Sequence, residues 1–304
     1  MDGYKMKNIN ETWMKQRSFR RLVRTNMKNA NGGNGTPINN ESVSTARSNR
    51  FARMGRPINT TSVSEGISIC LTAWKTADYI EECLDSIENQ SWFKTHDNFE
   101  VLLGIDACEE TLAKVKEIMH KYRNLSVYMM EKNVGTYVTT NTMMNLAQYE
   151  WLLRFDTDDI MLPNMIETLM TRKGNAEFVR FQMENFTESG VKCNRSKIQL
   201  AHGPILMKKT IFLKFKGYKD WVCSGDSDLI KRVKHYCRYF ELKEVCFRRR
   251  IQKNSLTVKK DTNNKSEERR RFNKLLGDNN NYSTLAKCIN DEIITNPFYE
   301  IYKK

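Results

Sequence analysis

The strongest constraint on this chain is a pattern that begins at Ile67, in which short, nearly continuous apolar runs alternate with segments of amphipathic helical spacing. Ile67, Ile69, Cys70 and Leu71 make the first run, NFEVLLGID (Asn98 to Asp106) the second, SVYMME (Ser126 to Glu131) the third and WLLRF (Trp151 to Phe155) the fourth. Between them, YIEECLDSI places Ile80, Leu84 and Ile87 on one helical face. LAKVKEIMHKY (Leu112 to Tyr122) and Thr140 to Gln148 supply two more helices. A run that is apolar at nearly every position must be buried on both faces. The pattern therefore predicts an α/β fold, a Rossmann-like, mostly parallel central sheet flanked by helices. Ligands of such sheets bind beyond the carboxyl ends of the strands. Two strands end there in acid, at Asp106 and at Asp156-Thr157-Asp158-Asp159.

The later half is less regular. Pro163 opens a helix to Met170, and EFVRFQME (Glu177 to Glu184) reads as a strand. After Gly190 come an apolar stretch at 203–207, a short helix from Lys209 to Phe215, a Gly217-Tyr218 turn, a helix from Asp226 to Lys234 and a strand from Tyr239 to Phe247. Asn263 to Leu276 is a polar helix, read as a surface appendage. No internal repeat is present. Residues 29–66, rich in Asn, Gly, Ser and Thr, hold too little apolar area to offset the entropy of ordering them, and 10–29 read as a short basic helix. The folded domain is expected from residue 67 to 257, in two halves (67–159 and 160–257), between extensions at 1–66 and 258–304.

The acidic tetrapeptide is the sharpest local signal. Alternate residues of an extended segment point the same way, so Asp156 and Asp158 can share a site while Asp159 turns toward the next helix. Hard oxygen ligands suit Mg²⁺ or Mn²⁺ carrying a phosphorylated substrate. The competing reading is a helix cap at Asp158 or Asp159. Asp106 is either a cap or a carboxylate offered to a ribose or base. Asp226 precedes a helix bearing Arg232 and is either its cap or an active-site acid. Trp221 is either a platform for a sugar ring or a core tryptophan.

Taken in order, these segments resemble the inverting glycosyltransferases of family 2, which have the GT-A fold. The likeness runs from Ile67 to Thr257. SISICLTAWKTADYIEECLDSIENQSW resembles the family's opening strand and helix, and NFEVLLGID its second strand. EKNVGTYVTTN resembles its N-x-G segment, LLRFDTDD its metal motif, GYKDWVCSGDSDLIKRV its acceptor and base region, and RRRIQKNSLT its closing segment. The resemblance implies transfer of a sugar from a nucleotide-sugar donor, expected to be UDP-linked, to an acceptor hydroxyl of a glycan, glycolipid or glycoprotein. It implies that Thr72, Ala73, Trp74, Asp106 and Asn133 hold the nucleoside, that Asp156, Thr157 and Asp158 meet the ribose and diphosphate, that Asp156 and Asp158 bind the metal, and that Asp226 is the catalytic base. Three positions depart from the family pattern: Gly225 stands where Glu often precedes the base, Gln252 where His is common, and Thr140 where Arg often precedes Asn141. Arg250 or Lys253 is expected to compensate for Gln252 by meeting the phosphates.

Charge narrows the partners. The chain carries +14, but the excess is concentrated. Met1 to Gly66 holds 12 basic and 4 acidic residues and Arg248 to Lys274 holds 11 and 3, which leaves the remainder near neutral and without a nucleic-acid footprint. The basic segments suit an anionic membrane surface. No run of about 18 apolar residues marks a span, and the basic start lacks the apolar core of an ordinary signal peptide. Eight scattered cysteines with no CxxC pair read as reduced residues of a cytoplasmic protein, peripheral at the inner face of a membrane. The alternatives are a nucleotidyltransferase, against which stands the absence of a Gly-rich phosphate loop after Leu71, and an inactive binding module.

Overall fold

The computed structural model describes residues 64–187, 198–252, 261–263 and 265–304. These lie in a compact unit, Ser62–Lys304. The expected basic helix and linker before residue 64, together with Lys253 and the end of the closing segment, fall outside the described residues.

Four parallel strands form the first half of the sheet: β1 (Ser64–Ala73), β2 (Phe99–Ile105), β3 (Leu125–Met130) and β4 (Tyr149–Asp156), in the order β3-β2-β1-β4. Three helices connect them: α1 (Ile80–Glu88), α2 (Glu109–Ile118) and α3 (Thr136–Leu146). The sheet continues past β4 with strands of mixed direction, and a fourth helix, α4 (Met165–Arg172), packs beside it. The added strands are β5 (Ile160–Met161), β6 (Phe178–Thr187), β7 (Gln199–Leu200), β8 (Ile205–Lys208) and β9 (Tyr239–Ile251). The expected fold class holds, and the predicted strands and helices fall within a few residues of the observed ones.

The doubled apolar face has a direct reading in the core. Ile69, Leu71, Leu103 and Leu153 pack with Ile80, Leu84 and Ile87 of α1 and Leu112 and Val115 of α2. Cys70, Leu102 and Leu152 point the other way, onto Met143 and Met144 of α3 and Phe212 and Phe215 of α5 (Lys209–Phe215). Each such side chain, fully buried, stabilises by about 1.5–3 kcal/mol relative to exposure. The seven described cysteines are free.

Two features lie beyond the sequence reading. Residues 298–303 form β10 (Phe298–Lys303), which pairs antiparallel with β3 and becomes its outer neighbour. The polar segment near residue 270 is not an appendage. Its helix α7 (Glu267–Gly277) buries Phe272, whose ring centroid lies 4.6 Å from that of Trp221. Just beyond it, Tyr282 and Cys288 are buried against α6 (Gly225–Val233).

Candidate active site

The strand order reverses direction between β1 and β4, and the carboxyl ends of these two strands frame a crevice. Thr72 is the register partner of Asp156. The Thr157 hydroxyl donates to the Thr72 carbonyl at 2.9 Å and lies 3.2 Å from the Thr76 hydroxyl, so the acidic turn is fastened to the loop after β1. The Asp106 amide donates to the Ala73 carbonyl at 2.9 Å. Trp74, on the same loop, keeps 40% of its surface exposed, with the Lys75 ammonium 4.8 Å from its ring. Thr72, Ala73, Trp74, Asp106, Asn133, Asp156, Thr157 and Asp158 are thus gathered at one sheet edge.

Asp106 is more occupied than its place suggests. One carboxylate oxygen accepts the Val134 amide at 2.8 Å and the other accepts the Gly135 amide at 2.9 Å, while its carbonyl accepts from the Asn133 side chain at 3.1 Å. Burial pushes its pKa up, opposed by these backbone donors. With one backbone amide on each oxygen, Asp106 latches the N-x-G loop to the sheet at the start of α3.

The acids of the tetrapeptide have separate surroundings. Asp156 accepts the Arg154 guanidinium at 2.8 Å. Burial raises its pKa, Arg154 opposes the rise, and Asp158 and Asp226 add to it. Asp158 accepts the side-chain amide of Gln252, and Asp159, buried, accepts the Arg250 amide at 2.9 Å. Burial and the neighbouring carboxylates push Asp159 well above its ordinary range. Arg250, one of the two residues expected to meet the phosphates, is buried and engaged by its own chain. Its guanidinium donates to the Asp158 carbonyl at 3.1 Å, pairs with Glu82 and stacks 4.5 Å from the Phe186 ring and 4.8 Å from that of Tyr79. Its work is to pin β9 to the acidic turn.

A divalent cation suits this donor set. Among the described residues no group of three His, Cys, Asp or Glu forms a cage, but a nucleotide-borne Mg²⁺ is commonly held by one or two carboxylates plus phosphates. Crowded carboxylates whose protonation is favoured by burial and mutual repulsion are a place where added positive charge stabilises the site.

Asp226 reaches the same centre from α6. Its carboxylate lies 3.8 Å from the Arg154 guanidinium, so Arg154, on β4, stands between Asp156 and Asp226. Arg154 is 4% exposed, and two of its guanidinium nitrogens make no hydrogen bond, as is true of one Asp226 oxygen. The Tyr137 hydroxyl lies against Asp226; burial first, and that carboxylate second, push the phenol well above its ordinary value. The glycine before Asp226 also has a cause. A Cβ at Gly225 would come within 2.7 Å of the Tyr137 ring, so no larger residue fits while that ring keeps its place.

Asp228, two residues on, is different in kind. It is fully buried and accepts Arg232 at 2.7 Å and the Tyr282 hydroxyl at 2.8 Å, with the Lys219 ammonium at 3.2 Å. Arg232, equally buried, donates to the carbonyls of Phe215, Gly217 and Cys288. Asp228 therefore positions α6 and docks the later residues, and is not a second candidate base. Asn141 clamps the turn before it, giving and receiving hydrogen bonds with the Tyr218 backbone at 2.9 and 2.8 Å. Gly217, at φ 66°, is needed there because a Cβ would lie 2.3 Å from the Asn141 amide oxygen.

Sequence reasoning missed Arg154 and Tyr137. Arg154 had a signal, a lone cation in an apolar strand; Tyr137 had none, since its role depends on a contact with α6.

Comparison with known proteins bears on the family and the fold. Residues 68–239 match the family model for glycosyl transferase family 2. The chain is 25% identical over 210 residues to the O-antigen biosynthesis glycosyltransferase WbnJ of Escherichia coli, covering 62% of this chain and 81% of that protein. It is 28% identical over 130 residues to the glycosyltransferase GlyG of Streptococcus pneumoniae, 42% of each. Among solved structures, S. aureus TarS in complex with UDP aligns with a TM-score of 0.52 at 18% identity, over 62% of this chain and 61% of that one. The mannosyltransferase PcManGT of Pyrobaculum calidifontis, in complex with GDP-Man and Mn²⁺, aligns at 0.51 and 15% identity, over 64% and 61%. At these identities the structural likeness shows the fold, GT-A. Among the described residues no helix is long and apolar enough to cross a membrane.

Proposed function

The chain belongs to glycosyl transferase family 2, and from that premise we propose that it transfers a sugar from a UDP-linked donor to a hydroxyl of a glycan or glycoconjugate, with inversion at the anomeric carbon. The observation that carries the reading is the placement of Asp226 beside Arg154, across from Asp156, at the crevice where strand order reverses. UDP and UDP-GlcNAc in the TarS complexes support a uridine nucleotide donor.

In this reading the loop from Thr72 to Trp74 and the latched Asn133–Gly135 segment shape the nucleoside pocket, with Asp106 acting through that latch. Asp158, with Asp156 beside it, holds the divalent metal. Bound there, Mn²⁺ or Mg²⁺ supplies positive charge to the departing diphosphate. Asp226 accepts the acceptor's proton as its oxygen forms the bond to the anomeric carbon and the bond to the diphosphate oxygen breaks. Arg154 keeps the two carboxylates apart in function while holding both in place. Approach to an anionic, lipid-bearing surface through the basic segments belongs to the same proposal, and vesicle sedimentation that requires anionic lipid and fades with salt is its test.

The experiment measures UDP affinity with and without Mn²⁺, and transfer or donor hydrolysis across UDP-sugars. Asp158→Ala should abolish the metal-dependent gain in UDP affinity. Asp226→Asn should lower turnover about 10²-fold or more while UDP affinity stays within a few fold. UDP affinity indifferent to metal in both wild type and Asp158→Ala would remove the metal assignment. Full turnover in Asp226→Asn would remove the base.

A further inference from the structure

Outside the crevice, a cleft of about 670 Å³ opens between the loop before α6 and the helix α7, which lies beyond the residues matched by the family model. Its volume is within the roughly 300–1,000 Å³ of ligand sites. Trp221 and Phe272 form one wall, their rings 4.6 Å apart and tilted by 31°. Around them stand three carboxylates, Asp220, Asp261 and Glu268, against one cation, Arg271. The Lys219 ammonium sits 5.2 Å from the Trp221 ring. Val222, 56% exposed, forms part of the rim.

The cleft is tied to the catalytic helix. The Arg269 guanidinium of α7 reaches the hydroxyl of Ser224, the cap of α6, at 3.5 Å and the Thr262 carbonyl at 2.8 Å. Lys231 of α6 donates to the Leu276 carbonyl at the other end of α7. Asp226 lies in the first turn of α6, five residues after Trp221. The cleft is therefore joined to the helix that carries Asp226 at both of its ends.

We propose that this cleft is an acceptor subsite for an uncharged saccharide, the sugar next to the one that carries the attacking hydroxyl. The inference rests on the glycosyltransferase reading for its occupant. The partly exposed Trp221 indole, backed by the buried Phe272 ring, can cover the C–H face of a pyranose, and carboxylates accept hydrogen bonds from its hydroxyls. Asp220, Asp261 and Glu268 against Arg271 and Lys219 leave no cationic excess to hold an acidic sugar. The α7 segment, in this view, sets acceptor specificity for a domain whose donor side is built elsewhere.

The test immobilises the full chain on a glycan array of neutral and acidic saccharides, then measures affinity for a retained neutral glycan by saturation-transfer NMR, with UDP affinity determined in parallel. The expected result is retention of a neutral glycan, a tenfold or greater weakening in both Trp221→Ala and Val222→Arg, recovery in Trp221→Phe, and unchanged UDP affinity throughout. Val222→Arg decides the matter if Trp221→Ala melts early, because Val222 is exposed and its replacement leaves the core intact. Equal glycan affinity in Val222→Arg, retention of acidic glycans alone, or retention of none overturns the subsite. Loss of UDP binding by the wild-type protein would instead overturn the glycosyltransferase reading itself.

Discussion

Replacing Asp228 with alanine separates structure from chemistry in this site. The substitution leaves Arg232 fully buried with its charge uncompensated, and removes the acceptor of the Tyr282 hydroxyl. Breaking one side of a buried pair costs about 3–5 kcal/mol, a large part of the roughly 5–15 kcal/mol that holds a domain together. For a domain of this size, about 2–4 °C is lost per kcal/mol, so the melting temperature should fall by around 10 °C. Urea denaturation of Asp228→Ala, Arg232→Met and the double variant gives the coupling. The double variant should be more stable than Asp228→Ala alone, because it no longer buries a lone guanidinium. Asp226→Asn, which removes no comparable partner, should melt near the wild type. If Asp228→Ala unfolds at the wild-type urea midpoint, or if the double variant loses the sum of the two single losses, the buried pair does not anchor α6 as argued.

Asp106→Asn exchanges an acceptor of two backbone amides for a group with one carbonyl oxygen, and should weaken UDP binding by about 1–3 kcal/mol through the Asn133–Gly135 loop; titration calorimetry reads the loss, and unchanged affinity in a folded variant limits Asp106 to capping. Arg154→Met removes the cation that opposes the upward shift of Asp156, so metal-dependent UDP binding should fail at a higher pH than in the wild type as pH is lowered; titration across pH checks it, and superimposable profiles would show that Arg154 does not govern Asp156. Glu81, held at about 2 by hydrogen bonds from Lys114 and Lys121, contributes stability that is complete above its ordinary 4.5 and is lost as pH falls toward 2; acid denaturation of Glu81→Gln should be flatter over that window, and the difference should shrink in high salt.

Much of this was readable in advance for a physical reason. Strands β1 to β4 are buried on both faces, so their runs are apolar without alternation, and nothing else in the chain imitates them. The acids at their carboxyl ends inherit their position from the sheet. Asp226 and Asp228 were not separable by spacing alone, because the rotation of α6 decides which one faces Arg154 and which faces Tyr282. The i, i+4 spacing of Asp228 and Arg232 does announce a helix-surface pair, but not that the pair is buried under residues 282–288. Arg250 looked free because its partners, Asp158, Asp159 and Glu82, are distant in sequence. Strand β10 was illegible for a related reason. The uniform burial of β3 says that it has neighbours, and does not say which.

That outer pairing has a consequence for synthesis. The four parallel strands are complete once Asp156 has left the ribosome, yet the edge of β3 is covered only when Phe298–Lys303 arrives. At about 5–20 residues per second, Leu125–Met130 waits about 10–30 s with a row of unpaired amides and carbonyls beside entirely buried side chains. An apolar edge of that kind is a template for pairing with another nascent chain. Recombinant chains ending before residue 298 should therefore gather in inclusion bodies even though every residue of the crevice is present, and slowed translation should raise the demand for chaperones before it affects the finished enzyme.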